Sequence, residues 1–374
     1  MANLTSATDT RQAPPPGRGS PLLIAWEGNP WSLTGLCFLN MLLIIITIGI
    51  YWFWARTEYR RFMWQMVRVE NEPLEYTGTG KELLIGYLRL FIFIILPVIA
   101  VVAGTQLALG PQHPIVVAGT LFLYMFLLFL YFVGVFRAHR YILSRTRWRG
   151  IAFGLNRGAG NYAGASLWTA VLTGLTAGWL WPWRIVMLRR KITSTMFFGS
   201  VPFGFKCSAR SLYPPFALIW LSFASAFGSF VAIQIALMGQ MQSQPNPPID
   251  VVFEQIPHLA LLVILAAIPM ALIGLSWYEA RKLNLFAGAT KIGPLTAKLS
   301  ASGGSMLWLT FSNLLIMGLS LGILRPVAQA RRLRYIVSRL EFFGQANLDD
   351  VMRGQEQTGS QGAGLEAAFS IEIF

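Results

Sequence analysis

Thr47-Ile48-Gly49-Ile50-Tyr51-Trp52-Phe53-Trp54-Ala55-Arg56 closes an apolar run and leads straight into Tyr59-Arg60-Arg61-Phe62. The same order returns at Thr176-Ala177-Gly178-Trp179-Leu180-Trp181-Pro182-Trp183-Arg184, followed by Leu188-Arg189-Arg190-Lys191. A third, more worn copy reads Ser320-Leu321-Gly322-Ile323-Leu324-Arg325-Pro326-Val327-Ala328, then Arg331-Arg332-Leu333-Arg334-Tyr335. The glycines stand 178 − 49 = 129 and 322 − 178 = 144 residues apart. In each copy an apolar segment ends at a glycine, turns and releases a basic helix, which is the pattern of an elbow at a membrane surface. Thr47, Gly49, Trp54, Thr176, Gly178, Trp183, Ser320 and Gly322 are the candidate elbow or hinge residues.

Working outward, the composition agrees. Of 374 residues, 55% are hydrophobic and 12% charged, against about 25% charged in a soluble domain, so the chain reads as an integral membrane protein. Lys and Arg outnumber Asp and Glu by 30 to 16. The basic residues cluster beside apolar runs and no nucleic-acid motif accompanies them, so the excess reads as positive-inside orientation, and no nucleic-acid partner is expected. Cys37 and Cys207 form no disulfide framework.

The order of segments repeats. After a tail at 1–20, expected to be disordered, a first repeat at 21–136 holds an apolar element 33–54, a basic helix 55–69 and transmembrane segments 83–109 and 115–136. The second, at 137–277, holds apolar element 163–183, basic helix 184–196 and segments 214–241 and 256–277. A partial third, at 278–345, holds apolar element 306–324 and basic helix 325–339, and a mobile tail is expected at 346–374. Strand-like runs flank these segments, among them Leu22–Trp26, Leu74–Thr77, Gly150–Gly154, Val201–Phe205, Leu295–Leu299 and Leu340–Phe343, with Phe369–Phe374 as a further edge strand. The linker of the second transmembrane pair carries Asp250 and Glu254. The fold class expected is an all-α polytopic membrane protein. It has three internal repeats (strand, apolar element, basic interfacial helix, strand), two transmembrane helical hairpins and small cytoplasmic β elements.

Topology raises a conflict. No Lys or Arg occurs between Arg89 and Arg137, nor between Arg210 and Arg281, so both hairpin tips face the exterior. Three crossings per repeat would invert the next copy, although all three elbows are basic. The 22 uncharged residues of 33–54 can span ~30 Å of hydrocarbon; alternatively, each apolar element dips in and returns on one side. Asn40 and Asn313 (313 − 40 = 273) are the candidate turning points of such a dip.

The elbow, the segment His139–Ile151 and the segment Tyr76–Leu83 together resemble the YjgN-type family of bacterial inner-membrane proteins, over about residues 20–345. The resemblance implies a multi-pass inner-membrane protein from a family of unknown function, and as partner a membrane-associated metallopeptidase encoded nearby. The third elbow departs from the family pattern, with Arg325 and Val327 at the places of Trp52 and Trp54.

His113, His139 and His258 lie in separate loops without Cys or carboxylate at metal-ligand spacing, so no metal, cofactor or enzyme activity is expected. Gly158, Gly160 and Gly164 lack the frame of a phosphate loop. Arg60, Arg61, Arg189, Arg190 and Arg334 have two readings. They are snorkelling cations worth about 1 kcal/mol each at anionic headgroups, or they converge to bind lipid phosphate or an anionic solute. Glu58, Glu82 and Glu279 are expected to pair with neighbouring Arg or Lys, and Pro97 and Pro269 to kink their helices. The functional expectation is transport, or lipid or anionic-solute handling, with membrane lipids as partners. The alternative is a non-transporting scaffold whose cytoplasmic basic helices and strands dock a partner enzyme.

Overall fold

The computed structural model describes residues 22–110, 112–243 and 258–344. The expected tails 1–20 and 346–374, the edge strand Phe369–Phe374 and the linker bearing Asp250 and Glu254 lie outside the described residues. The described residues are mostly helical (70%), and among them four helices are long and apolar enough to cross a membrane.

Its strands do more than decorate those helices. In order they are β1 (Ile24–Trp26), β2 (Val67–Val69), β3 (Glu72–Pro73), β4 (Glu75–Tyr76), β5 (Thr146–Trp148) and β6 (Ile151–Leu155). There follow β7 (Met196–Phe198), β8 (Val201–Phe205), β9 (Thr290–Ile292), β10 (Leu295–Leu299) and β11 (Leu340–Phe343). β1 to β3 form one antiparallel sheet and β4 to β11 another of eight strands, each strand paired with its sequence neighbours. β3 and β4 are two halves of one run, parted at Leu74, whose N–H still bonds the Val67 carbonyl at 3.0 Å.

Connections alternate along this meander. Two-residue turns at Glu70-Asn71, Arg149-Gly150, Gly199-Ser200 and Gly293-Pro294 join β2 to β3, β5 to β6, β7 to β8 and β9 to β10. In the first two, both residues have positive φ (51° and 64°; 51° and 75°), the turn that matches strand twist. Every other connection is helical. α1 (Leu33–Ile46) and α2 (Trp52–Gln65) lie between β1 and β2. α3 (Gly80–Leu90), α4 (Leu96–Leu109) and α5 (Pro114–Arg145) join β4 to β5. α6 (Ala159–Leu175) and α7 (Trp181–Thr193) join β6 to β7, α8 (Tyr213–Ser243) and α9 (His258–Ala289) join β8 to β9, and α10 (Gly303–Leu319) and α11 (Arg325–Val337) join β10 to β11. In an up-and-down meander alternate connections leave from the same rim, so all the helices rise from one rim of the strand layer.

The long helices overrun their apolar segments. α5 continues 145 − 136 = 9 residues and α9 289 − 277 = 12 residues past the expected ends, carrying Arg137–Arg145 and Arg281–Ala289 as helix down to the strands. α3 and α4 are joined by a π turn, Phe91–Ile95, just ahead of Pro97. The wider turn accommodates a ring that would otherwise meet the carbonyl four residues back. α8 and α9 approach closely because Gly274 has no side chain: a Cβ there would lie 3.0 Å from Ile219 Cγ1.

The elements 33–54, 163–183 and 306–324 are not single helices. α1 has 14 residues and α6 and α10 have 17 each, about 21 and 26 Å at ~1.5 Å per residue and short of a ~30 Å core. Each then reverses, and its partner helix returns alongside it. Asn40 and Asn313 are not the turning points, because both sit inside continuous helix. Asn40 is fully buried, and Asn313 ties α10 to α11, giving its amide to the Ala328 carbonyl (3.3 Å) and accepting from Arg331 (2.7 Å).

The reversal falls at the elbow and uses the same backbone three times. Ile48, Ala177 and Leu321 have φ of 51°, 47° and 50°, followed by Gly49, Gly178 and Gly322 at 88°, 85° and 84°. This is a Schellman ending: the glycine N–H reaches the carbonyl five residues back (Ile44, Thr173, Met317) at 2.7 Å each time. The hydroxyl two residues before each glycine completes the account. Thr47 Oγ1 donates to the Leu43 carbonyl (2.7 Å) and accepts the Tyr51 N–H (2.9 Å). Thr176 takes the Leu180 N–H at 3.4 Å, and Ser320 takes the Leu324 N–H at 3.2 Å. Every backbone N–H from Thr47 to Trp52 is thereby bonded, as are those of Thr176–Trp181 and Ser320–Arg325. The tips are apolar and bare, with Ile48 93% and Leu321 92% exposed.

Thr47→Val is therefore expected to leave the Tyr51 N–H unbonded and cost about 1–3 kcal/mol, read as a lowered melting temperature in detergent. Thr47→Ser, which keeps the oxygen, is expected to melt near the wild type.

Candidate functional site

The strand array curls on itself. Leu22 and Ile24 at its start pack against Leu295, Ala297 and Phe342 at its end. Trp148 Nε1 donates to the Val69 carbonyl (3.1 Å) and Trp64 Nε1 to Thr146 Oγ1 (3.0 Å), fastening the break between the two sheets.

Inside is a cavity of about 880 Å³. Its wall is built from alternate residues, which all point to one face of a strand: Val67 and Val69, Thr146 and Trp148, Met196 and Phe198, Val201 and Phe203, Leu340 and Phe342. Its floor includes the turns at Ser200 and Gly293-Pro294. Its roof is the base of the helical layer: Trp64 from α2, His139 and Ile142 from α5, Arg189 and Ile192 from α7, Leu333 and Val337 from α11. An array of about eight strands has room for core side chains or one small ligand, and a wider one leaves more. The volume lies within the roughly 300–1,000 Å³ of small-molecule sites.

Among the described residues, Arg189 is the only arginine or lysine lining this chamber. It is exposed over part of its surface and lines the chamber with another part, and burial by the surrounding protein pulls its pKa below the ordinary value. Among the described residues it makes no ion pair or hydrogen bond; its guanidinium lies 6.0 Å from the centre of the Phe286 ring. His139 Nδ1 lies 3.0 Å from the Val135 carbonyl. A carbonyl only accepts, so Nδ1 carries the proton and Nε2 is left for another partner.

The other candidate arginines do not converge with it. Arg60 is 5% exposed, donates to Tyr76 Oη at 3.3 Å and lies over the Tyr76 ring. Arg61 donates to the Gly78 carbonyl (3.4 Å) and Arg190 to the Cys207 carbonyl (2.8 Å), each 17 residues on, so both brace the approach to the next long helix. Arg334 is exposed, and among the described residues its guanidinium makes no hydrogen bond or ion pair. Their spacing along three similar helices suggested a common centre, but each helix presents these positions to different neighbours.

The elbow candidates lie in the three reversals, away from the chamber. Trp54 packs on Gly80, where a Cβ would come within 2.7 Å of its ring, while Trp183 is 39% exposed. Glu82 takes the Tyr141 hydroxyl (2.7 Å) and Arg145 (2.9 Å), joining the bases of α3 and α5. Glu279 meets Lys282 and Arg332. Glu58 differs from expectation, accepting the Tyr51 hydroxyl at 2.8 Å. Among the described residues no group of three His, Cys, Asp or Glu side chains is placed to hold a metal ion.

Sequence reasoning missed the chamber, although signals existed. Val67-Arg68-Val69 and Leu340-Glu341-Phe342 alternate, but the first lies at a helix end and is too short to stand out as a strand.

A family model described as "Bacterial protein of unknown function (DUF898)" matches residues 21–368. Over 60 residues the chain is 40% identical to the inner membrane protein YjgN of Salmonella typhimurium; the match covers 16% of this chain and 15% of that protein. No solved structure matches.

Arg61→Met and Arg190→Met are each expected to lower stability by about 1 kcal/mol, the scale of one lost hydrogen bond. Arg334→Met is expected to leave melting unchanged, and thermal denaturation of the three purified variants separates bracing from surface roles.

Proposed function

Since the chain belongs to the DUF898 family, bacterial proteins of unknown function, we propose its role from the geometry: it handles a lipid or other amphiphile by housing its apolar part in the strand-walled chamber. It is a multi-pass protein of the bacterial inner membrane. The observation that carries the proposal is the chamber itself, some 880 Å³ of largely apolar wall directly beneath the rim from which the membrane helices rise. A protein serving only to dock a partner enzyme, such as a membrane-associated metallopeptidase, would have no need of such an interior.

The strand layer lies on the cytoplasmic side in this reading. The far ends of both long pairs carry no Lys or Arg, whereas their rim ends carry Arg137–Arg149, Arg210 and Arg281 and the returning helix α7 between them carries Arg184–Lys191. The three short hairpins then enter one leaflet from the cytoplasmic face and return. Their closed backbone bonding supports this, because unbonded peptide groups are not tolerated against lipid. The repeat reading has support of its own. β2, β7 and β11 begin at residues 67, 196 and 340, offsets of 196 − 67 = 129 and 340 − 196 = 144, the same as between the elbow glycines. Of the candidate arginines, Arg334, exposed on the third returning helix, is the one placed to meet an anionic headgroup.

Two experiments test this. In a background with Cys37 and Cys207 replaced, cysteines at Ser194 and Ser338 are expected to resist an impermeant maleimide in intact cells while one at Ser243 reacts; labelling at Ser194 would refute the dips. Val201→Trp, which fills the chamber, is expected to cut lipid retained through purification by roughly tenfold, a loss of about 1.4 kcal/mol. Equal retention by the folded variant would count against the chamber as the site.

A further inference from the structure

Apart from the hydroxyls of Thr146 in its wall and Ser200 in its floor, the chamber is polar only at its roof, and one charge there has nothing among the described residues to neutralise it. Arg60, Arg189 and Leu333 occupy corresponding places on the three returning helices, at offsets of 189 − 60 = 129 and 333 − 189 = 144. Arg60 is engaged by Tyr76, and Leu333 is apolar. Arg189 alone of the three brings a guanidinium to the cavity, and among the described residues no carboxylate meets it. Arg189 is only partly withdrawn from water, but turning even part of a cation toward an apolar interior without a counter-charge is costly. A site that tolerates this cost is suited to a ligand that brings the missing charge.

His139 lies on the same roof. With Nδ1–H committed to the Val135 carbonyl, its Nε2 is available beside the guanidinium. Burial and the neighbouring Arg189 cation pull the His139 pKa down to about 4, so the imidazole stays neutral: its Nε2 can accept the O–H of a monoanionic phosphate, while Arg189 meets the anionic oxygen of a phosphate or a carboxylate.

We propose that Arg189 and His139 form the head-group site of the chamber, and that its ligand is a single-tailed amphiphile with one anionic head, a carboxylate or a phosphate. The inference rests on the chamber reading above. The remaining wall accounts for the tail: Trp148, Phe198, Phe203 and Phe342 offer nothing to an inorganic anion, and a neutral lipid would leave Arg189 uncompensated.

The test compares palmitate, hexadecyl phosphate and hexadecanol on the full-length, delipidated protein in maltoside detergent, by isothermal titration and native mass spectrometry. The wild type is expected to bind at least one anion about tenfold or more tightly than the alcohol, as a charge-assisted contact requires. Whichever anion is preferred separates a fatty carboxylate from a lipid phosphate. Arg189→Met is expected to erase that preference while binding hexadecanol as before, which also shows that the variant is folded; Arg189→Lys should restore part of it. Equal binding of alcohol and anions by the wild type, or a preference that survives Arg189→Met, overturns this inference alone. Binding of none of the three overturns the chamber reading and the inference with it.

Discussion

Antiparallel pairing between successive strands is the constraint on which the rest of the molecule depends. Ile24 can face Val69, and Phe153 can face Phe198, only if the chain between them begins and ends on the same rim. An insertion that crossed the membrane once would put its second strand on the far side and abolish the ladder. The inserted segments must therefore be hairpins. Two are pairs of long helices; the other three are pairs of short ones, which reverse before they could reach the opposite surface.

A reversal inside an apolar layer has its own requirements, and the three elbows meet them identically. The bend demands left-handed backbone, disfavoured by roughly 1–2 kcal/mol for a residue with a Cβ, yet Ile48, Ala177 and Leu321 occupy it. Glycine there would relieve strain but leave a bare peptide group at the most exposed point. Ile48 and Leu321 instead present side chains that favour hydrocarbon. The second left-handed residue is glycine in each case, which confines the strain to one position. The threonine or serine hydroxyl then supplies an acceptor that the backbone geometry cannot, which is why the repeated stretch opens on Thr47, Thr176 and Ser320 and not merely on any small residue.

Much of this was legible in the sequence. The three elbows stood out because aromatic, glycine and arginine clusters recur at fixed offsets, and the four long helices because their uncharged apolar runs are as long as a hydrocarbon core is thick. The interruption of elements 33–54, 163–183 and 306–324 was less visible, since a Schellman ending followed by a fresh helix keeps an apolar composition throughout. Asn40 and Asn313 attracted attention as polar residues in apolar helices, but a polar residue there can equally face a packed seam, as Asn313 does with Ala328 and Arg331. The strand layer was legible only in fragments. Strands of three residues such as Val67–Val69, Thr146–Trp148 and Thr290–Ile292 are continuations of helix ends, and their partners are fixed by where the inserted hairpins return the chain. The chamber follows from that pairing, so the local alternation of Val67–Val69 or Leu340–Phe342 marks a strand without showing the volume that the strands enclose.

The departure from threefold regularity is as informative as the regularity. A third long pair would belong between β11 and β1, where the array is joined by side chains and not by a ladder. Among the described residues no such pair is present, and the first and third short hairpins pack directly, Leu33, Cys37 and Met63 against Val327 and Ala330. This seam replaces the aromatic residues of the other elbows with Arg325 and Val327, and Val327 is fully buried by it. The same asymmetry extends to the chamber roof. A ring of equivalent units would place three like charges around one apolar volume, where their mutual repulsion would be poorly screened. Diverting Arg60 to Tyr76 and replacing the third with Leu333 leaves Arg189 as one localised charge, an arrangement that gives the chamber a polar end and an apolar end.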